Sequence, residues 1–248
     1  MEVAVLGLGE AGGRIASDLV AAGCAVRGFD PVRQPEGITN AESAAKAVAG
    51  AEVVLSINAA SVALEVAADV AGALGAGALY ADLNTSAPEL KRELSETVPV
   101  QFVDVALVGV VPASGLATPA LASGAGAERF AGLLRPLGMP VEVVGPRPGD
   151  AAALKLLRSV FMKGIAAAAI ESLQAAQAAG VEQHVRTDIA AVLGEPLLDR
   201  LLVGSRAHAA RRVDEMHAAA AYVEELGVEP RVSVAAAAWL EQLRDEPA

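Results

Sequence analysis

Four lysines stand against fifteen arginines in this 248-residue chain, and two of the four, Lys155 and Lys163, fall eight residues apart on one stretch. Arginine keeps its charge at every relevant pH, whereas a lysine removed from water shifts its pKa and exchanges a proton. Proton exchange is what a general acid or base must perform. Ser159, four residues beyond Lys155, projects from nearly the same helix face. Lys163 falls about 80° around that helix, on its flank. The plain alternative for either lysine is a solvated position.

A second constellation opens the chain. Gly7-Leu8-Gly9-Glu10-Ala11-Gly12 follows an apolar run and leads into a helical pattern. Alone, such a glycine spacing is weak; with its strand and helix in place it predicts a dinucleotide-binding turn. Gly7 makes the tight turn, Gly9 leaves room for the pyrophosphate, and Gly12 lets helix and strand pack closely. The helix N-terminus then presents amides to the phosphates. Asp30 ends the next apolar run, 18 residues after Gly12, where a carboxylate accepts ribose hydroxyls and repels a 2′-phosphate. Arg33 follows three residues later and softens that repulsion. NAD is therefore expected ahead of NADP. The alternative for Asp30 is a turn residue before Pro31.

Such residues need a sheet edge and a helix to hold them. Apolar, β-rich runs predict strands over 2–6, 25–29, 52–57, 78–83, 101–108, 119–123 and 141–144. Helical patterns lie between most of them, over 12–22, 41–48, 61–74, 87–97 and 127–137. Strands separated by helices predict a mostly parallel sheet covered on both faces. Two prolines and two glycines in 145–149 end the pattern. Beyond them no strand is expected. Helices are predicted over 150–179, 182–193, 196–203, 206–226 and 232–243, with Gly180 and Gly227 as C-caps. The fold class is α/β: a Rossmann-type, mostly parallel sheet domain over 1–146, followed by an all-α C-terminal domain over 147–248.

Composition removes other classes. The net charge of −11 has the wrong sign for a general phosphate-backbone binder, so no nucleic-acid partner is expected. The longest uncharged run, 105–127, is interrupted by Gly109, Pro112, Gly115 and Pro119 and reads as strand and loop rather than as a membrane span. The N-terminus has no basic segment and only a short apolar run, so no signal peptide is expected. The single cysteine, Cys24, agrees with a reducing compartment. The expectation is a soluble cytoplasmic protein. No metal is expected, because no His, Cys, Asp and Glu cluster has ligand spacing. No Gly-x-Ser-x-Gly nucleophile motif occurs.

Two further motifs select a family. Tyr80-Ala81-Asp82-Leu83-Asn84-Thr85-Ser86-Ala87-Pro88 runs from strand to loop to helix, and Gly149 precedes Lys155 on the long helical stretch. With the glycine turn, this order resembles the β-hydroxyacid dehydrogenases, which include 6-phosphogluconate and 3-hydroxyisobutyrate dehydrogenases. The runs Asp104–Pro112, Pro119–Gly124, Lys155–Gly164 and His208–Met216 resemble more closely a phosphogluconate-dehydrogenase-like branch. Its C-terminal helical domain has no known function. The resemblance covers nearly the whole chain.

The resemblance implies an NAD(P)-dependent oxidoreductase. Hydride would pass between the nicotinamide and a small hydroxy acid or its keto form. Lys155 would act as general acid–base, with Ser159 where the family usually has a substrate-orienting asparagine. It implies cofactor contacts from Gly7, Leu8, Gly9, Glu10, Ala11, Gly12, Asp30 and Arg33 in the turn, and from Asn58, Asn84 and Thr85 in later loops. The alternative for Thr85 or Ser86 is a helix-capping role. Substrate contacts are implied for Val108, Gly109, Met162, Lys163 and Arg211. Val108 stands where the family loop carries a carboxylate-binding serine, and Met162 where decarboxylating members carry a glutamate. The first departure alters the carboxylate pocket, so substrate identity does not carry over from the family; the second argues against 6-phosphogluconate as substrate. Arg211 is four residues before Glu215, which reads either as a surface ion pair or as an arginine that clamps a carboxylate. The competing functions are an imine reductase and a non-catalytic dinucleotide-binding module. The alanine-rich C-terminal helices predict a homodimer formed through them.

Overall fold

Eight strands form one sheet in the order β3-β2-β1-β4-β5-β6-β7-β8. The structure is a computed structural model that describes residues 1–245; the final residues of the expected C-terminal domain, 246–248, lie outside the described residues. The first elements are β1 (Glu2–Leu6), α1 (Glu10–Ala21), β2 (Ala25–Phe29), β3 (Thr39–Asn40), α2 (Ala44–Val48), β4 (Val53–Ser56), α3 (Ala63–Ala71) and β5 (Leu79–Asp82). Then come α4 (Pro88–Thr97), β6 (Gln101–Leu107), α5 (Val111–Ser114), β7 (Ala120–Ser123), α6 (Ala127–Leu134) and β8 (Val141–Gly145). The helical region holds α7 (Asp150–Ala178), α8 (Glu182–Leu193), α9 (Glu195–Ala207), α10 (Ala209–Glu225) and α11 (Arg231–Asp245).

All neighbouring strands pair in parallel except β6 with β7, which run antiparallel. β4 and β5 are buried at every residue, as a parallel sheet covered on both faces requires. On one face Ile15 and Leu19 of α1 and Phe130 and Leu134 of α6 pack on Val3, Val5, Leu55 and Val103. On the other, Ala47, Val48, Ala67, Val70 and Leu94 pack on Ala4, Leu6, Val54 and Tyr80. The order of the sheet reverses between β1 and β4, the switch point where doubly wound sheets bind ligands at their carboxyl edge.

The chain divides into two compact units, Met1–Lys155 and Leu156–Ala248, and the division falls inside α7. In the second unit Leu156, Val213, Met216, Ala236, Ala237 and Leu240 form the main core. No strand follows β8 among the described residues. No described helix is long and apolar enough to cross a membrane.

Three expectations change. β3 has two residues, too few to show a period. The stretch read as strand and loop contains the helical turn α5. The helix expected over 206–226 does not start at 206, because α9 continues to Ala207 and the chain breaks at His208 (φ −128°, ψ 26°) before α10. Ser205 bonds back to Leu201 O at 2.7 Å, a contact that bends helices.

Candidate functional site

The glycine turn joins β1 to α1, and each glycine has a separate reason. Gly7 has φ +99°, and a Cβ there would lie 2.2 Å from Ile57 O. A Cβ on Gly12 would lie 1.9 Å from Gly7 O. Above Gly9 the space is open: a Cβ would meet only Arg33 Nη1, at 3.8 Å. α1 starts without a side-chain cap, so the amides of its first turn have no intrahelical acceptor. An uncapped helix start under an open glycine fits a pyrophosphate. Leu8, Glu10 and Ala11 fill the turn between the glycines, with Leu8 buried and Glu10 exposed.

Asp30 closes the turn from the side. Its Oδ2 accepts Leu8 N–H at 2.8 Å, and its Oδ1 accepts the amides of Val32 and Arg33, both at 2.9 Å. Asp30 is therefore a turn residue as well. Burial would raise its pKa, but the amides of Val32, Leu8 and Arg33 and the Arg33 charge outweigh burial and hold it below 3.8. The carboxylate is ionised and keeps a lone pair on Oδ2 for a ribose hydroxyl.

Because β1, β4 and β5 are parallel, the residues after them share one sheet edge. Asn58 follows β4 and Asn84 follows β5. Asn84 Nδ2 donates to Asn58 Oδ1 at 2.9 Å, and Asn58 Nδ2 donates to Ser56 Oγ at 3.0 Å. Asn84 Oδ1 is buried and has no hydrogen-bond partner among the described residues. A ribose hydroxyl reaching this edge would supply the missing donor. Thr85, the next residue, accepts a 2.7 Å hydrogen bond from Lys155 Nζ. No side chain caps α4, so neither Thr85 nor Ser86 takes the capping role.

Beneath this edge lies a cluster that the sequence reading did not select. Asp82, Lys91 and Asp104 are fully buried. Lys91 Nζ reaches Asp82 Oδ2 at 2.6 Å, Asp104 Oδ1 at 3.2 Å, and the backbone oxygens of Asp82 and Asn84, both at 2.9 Å. Burial works against the Lys91 charge, but the two carboxylates outweigh it and raise its pKa. Burial and the Asp104 charge raise the pKa of Asp82 despite Lys91. Asp104 Oδ2 accepts the amides of Gly149 (3.1 Å) and Ala152 (2.9 Å), and so caps α7. Ser123 Oγ accepts Ala151 N–H at 3.0 Å and donates to Asp104 Oδ2 at 3.1 Å. One signal for Lys91 was present: with Pro88 and Leu94 it falls on the buried face of α4.

Val108 and Gly109 follow β6. Val108 is half-buried and its amide bonds Pro119 O at 2.8 Å. Their loop is fastened to α1, where Asp18 Oδ2 accepts Leu116 N–H at 2.8 Å and Arg14 Nη1 donates to Pro112 O at 3.2 Å. Gly115 has φ +54°, and a Cβ there would lie 1.8 Å from Asp18 Oδ2.

In the second unit Ser159 and Glu215 are buried and Lys163 nearly so. Ser159 Oγ donates to Glu215 Oε1, and Lys163 Nζ donates to Ser159 Oγ (3.1 Å) and Glu215 Oε1 (3.0 Å). Burial lowers the Lys163 pKa against the pull of Glu215, and the charges of Arg212 and Arg211 lower it further. A surface ion pair between Arg211 and Glu215 does not describe this helix, because Glu215 is turned into the core and bonded to α7. Arg211 is exposed and Met162 half-buried. Arg212 lies over Gly204 and donates to Ser205 Oγ at 3.2 Å.

Comparison with known proteins places these features. Residues 2–134 match the NAD binding domain of 6-phosphogluconate dehydrogenase, and residues 176–243 match a domain of unknown function (DUF1932). An uncharacterized 28.5 kDa protein from the 7S RNA 5′ region of Methanothermus fervidus is 29% identical over 142 residues, 56% of this chain and 55% of that protein. The match thus spans about half the length of that curated relative. The conserved protein MTH1747, of unknown function and described as structurally similar to 3-hydroxyacid dehydrogenases, is 31% identical with TM-score 0.81. That alignment covers 99% of this chain and 97% of the other. A 3-hydroxyisobutyrate dehydrogenase of Mycobacterium tuberculosis, in a structure with L-serine, shares the fold at TM-score 0.83 and 22% identity, covering 98% and 94%. The chain belongs to the β-hydroxyacid dehydrogenase superfamily, in the branch that joins the NAD-binding domain of 6-phosphogluconate dehydrogenase to a C-terminal helical domain of unknown function.

Proposed function

We propose that the chain is an NAD(P)-dependent oxidoreductase acting on a small hydroxy acid or its keto form, with Lys155 as general acid–base. The observation that carries this reading is the 2.7 Å bond from Lys155 to Thr85. It fixes an amine at the sheet edge that also holds the glycine turn and the buried, partnerless Asn84 Oδ1. A bound nicotinamide would accept or deliver the hydride. Lys155 would take the substrate hydroxyl proton in oxidation and return it in reduction. Gly7 to Gly12 would hold the pyrophosphate, and Asn84 would accept a ribose hydroxyl. Asp30 favours NAD through its charge, while Arg33, reaching over Gly9, leaves NADP as the second cofactor.

Val108 offers no hydroxyl, and Met162 offers no acid. Both favour a substrate less polar than a phosphosugar and a reaction without decarboxylation. Ser159, whose hydrogen is given to Glu215, retains acceptor capacity for a substrate hydroxyl. Lys163 and the exposed Arg211 are assigned to its carboxylate. We also propose a homodimer through the C-terminal helices. α8 buries no residue within the chain, and Val192 is 83% exposed. Light scattering at micromolar concentration would then give twice the 24.9 kDa chain mass; the single mass would overturn the dimer.

The deciding experiment is calorimetry with NADH and NADPH, then turnover on a panel of hydroxy acids and cyclic imines. Lys155→Ala is the control. Turnover of a hydroxy acid should fall about 10²- to 10⁴-fold in the variant while cofactor binding persists. Undiminished turnover would remove Lys155 from the chemistry. Turnover of imines alone would assign an imine reductase. Tight cofactor binding without turnover of any substrate would assign a binding module.

A further inference from the structure

We infer that Asp104 is a positioning residue for Lys155: its buried carboxylate anchors both the loop that carries Thr85 and the helix that carries Lys155. The inference rests on the reading of Lys155 as the proton-exchanging group. The two oxygens of Asp104 face two different segments. Oδ1 faces Lys91 Nζ at 3.2 Å, and Lys91 bonds the backbone oxygen of Asn84, one residue before Thr85, at 2.9 Å. Oδ2 accepts the amides of Gly149 and Ala152, in the turn that starts α7. Ala152 is less than one helical turn from Lys155. Both arms are short and both end at the 2.7 Å contact between Lys155 and Thr85. A shift at Asp104 would therefore pass to that contact with little intervening chain to absorb it.

Stability alone does not account for this cluster. Asp82 and Asp104 stand directly opposite each other in the pairing of β5 with β6, a placement that like charges disfavour. Lys91 brings one positive charge against two negative ones, and hydrogen bonds meet the remainder: Asn84 Nδ2 donates to Asp82, and Ser123 Oγ and the first amides of α7 donate to Asp104. An apolar trio of similar volume would avoid the cost of burying three charges, at the expense of the amides of Gly149 and Ala152, which would lose their acceptor. What an apolar trio lacks is direction. A carboxylate between an ammonium and a helix start sets the distance and angle between the two segments.

The test is Asp104→Asn. An amide has one acceptor oxygen and one NH2 group, so it satisfies either Lys91 or the start of α7, never both. Three measurements are made on the purified full chain: NADH binding, the pH profile of Lys155 acetylation by peptide mass spectrometry, and steady-state turnover. NADH binding should persist and report an intact fold. Lys155 acetylation at fixed pH should change by about threefold or more, as its surroundings change. Where turnover is available, kcat should fall about 100-fold with KM little changed. Ser123→Ala, which loosens only one arm, should move the same readouts the same way by less, and it serves if Asp104→Asn does not fold. A folded variant with wild-type Lys155 acetylation and wild-type kcat would overturn the inference. Acetylation does not require a substrate. A changed profile in a protein without turnover would therefore keep the positioning role and reject the enzymatic reading.

Discussion

Lys155 Nζ and Thr85 Oγ1 stand 2.7 Å apart although seventy residues separate them in the chain. The contact joins the loop after β5 to the first turns of α7. It turns a lysine on a helix into a lysine with a fixed address at the sheet edge. Thr85→Val keeps the shape and removes the acceptor. It should lower kcat about tenfold, whereas Thr85→Ser should stay close to wild type. Steady-state kinetics on the substrate found by the panel would check this; a valine variant with full kcat would show that the bond is dispensable.

Two glycines of the turn, Gly9 and Gly12, should fail in different ways. At Gly9 a Cβ meets only Arg33 Nη1 at 3.8 Å. Gly9→Ala should therefore keep its melting temperature and lose at least about tenfold in NADH affinity, because the methyl group occupies the phosphate approach. At Gly12 a Cβ would sit 1.9 Å from Gly7 O. Gly12→Ala should lose about 1–3 kcal/mol of stability as well as affinity. Thermal melts and calorimetry on the pair would separate the two roles.

Asp30 makes stability depend on acid. Its folded pKa lies below the ordinary 3.8. Its contribution is therefore fully present above that value and is lost as pH falls through the folded pKa. Asp30→Asn should melt below wild type at neutral pH, and the gap should close in acid below 3.8. A gap that persists unchanged at the lowest accessible pH would rule out the carboxylate as its source.

Glu215 and Lys163 should behave as a coupled pair. Glu215→Ala leaves the Lys163 ammonium inside the helical unit without its 3.0 Å partner, which costs about 3 kcal/mol. The double change Lys163→Met with Glu215→Leu should recover most of that loss. Urea melts of Glu215→Leu, Lys163→Met and the double variant close the cycle and give the coupling.

The sequence showed the glycine turn, the order of strands and helices and the long lysine-bearing helix, because each leaves a local pattern. The dinucleotide turn shows in a local run, Gly7 to Gly12 with Asp30, although the atom that Gly7 must avoid, Ile57 O, belongs to a distant segment. The Asp82–Lys91–Asp104 cluster was not read, because it is assembled from β5, α4 and β6 by strand pairing. Lys91 looked like one charge among many in Pro-Glu-Leu-Lys-Arg-Glu; only the spacing to Leu94 betrayed its burial. Glu215 was misplaced for a related reason. Its sequence neighbours offered Arg211 one turn away, whereas Ser159 and Lys163 reach it from more than fifty residues off.

The loop after β6 has a constraint that its own residues do not reveal. Gly115 is pressed against Asp18, and Leu116 is held by the same carboxylate from 98 positions away. Any sequence that diversifies this loop inherits a rule written on the dinucleotide helix: keep the glycine, or release Asp18. Changes of specificity by loop exchange would then succeed only when α1 is exchanged with it. The two segments would be expected to vary together as one module across related chains.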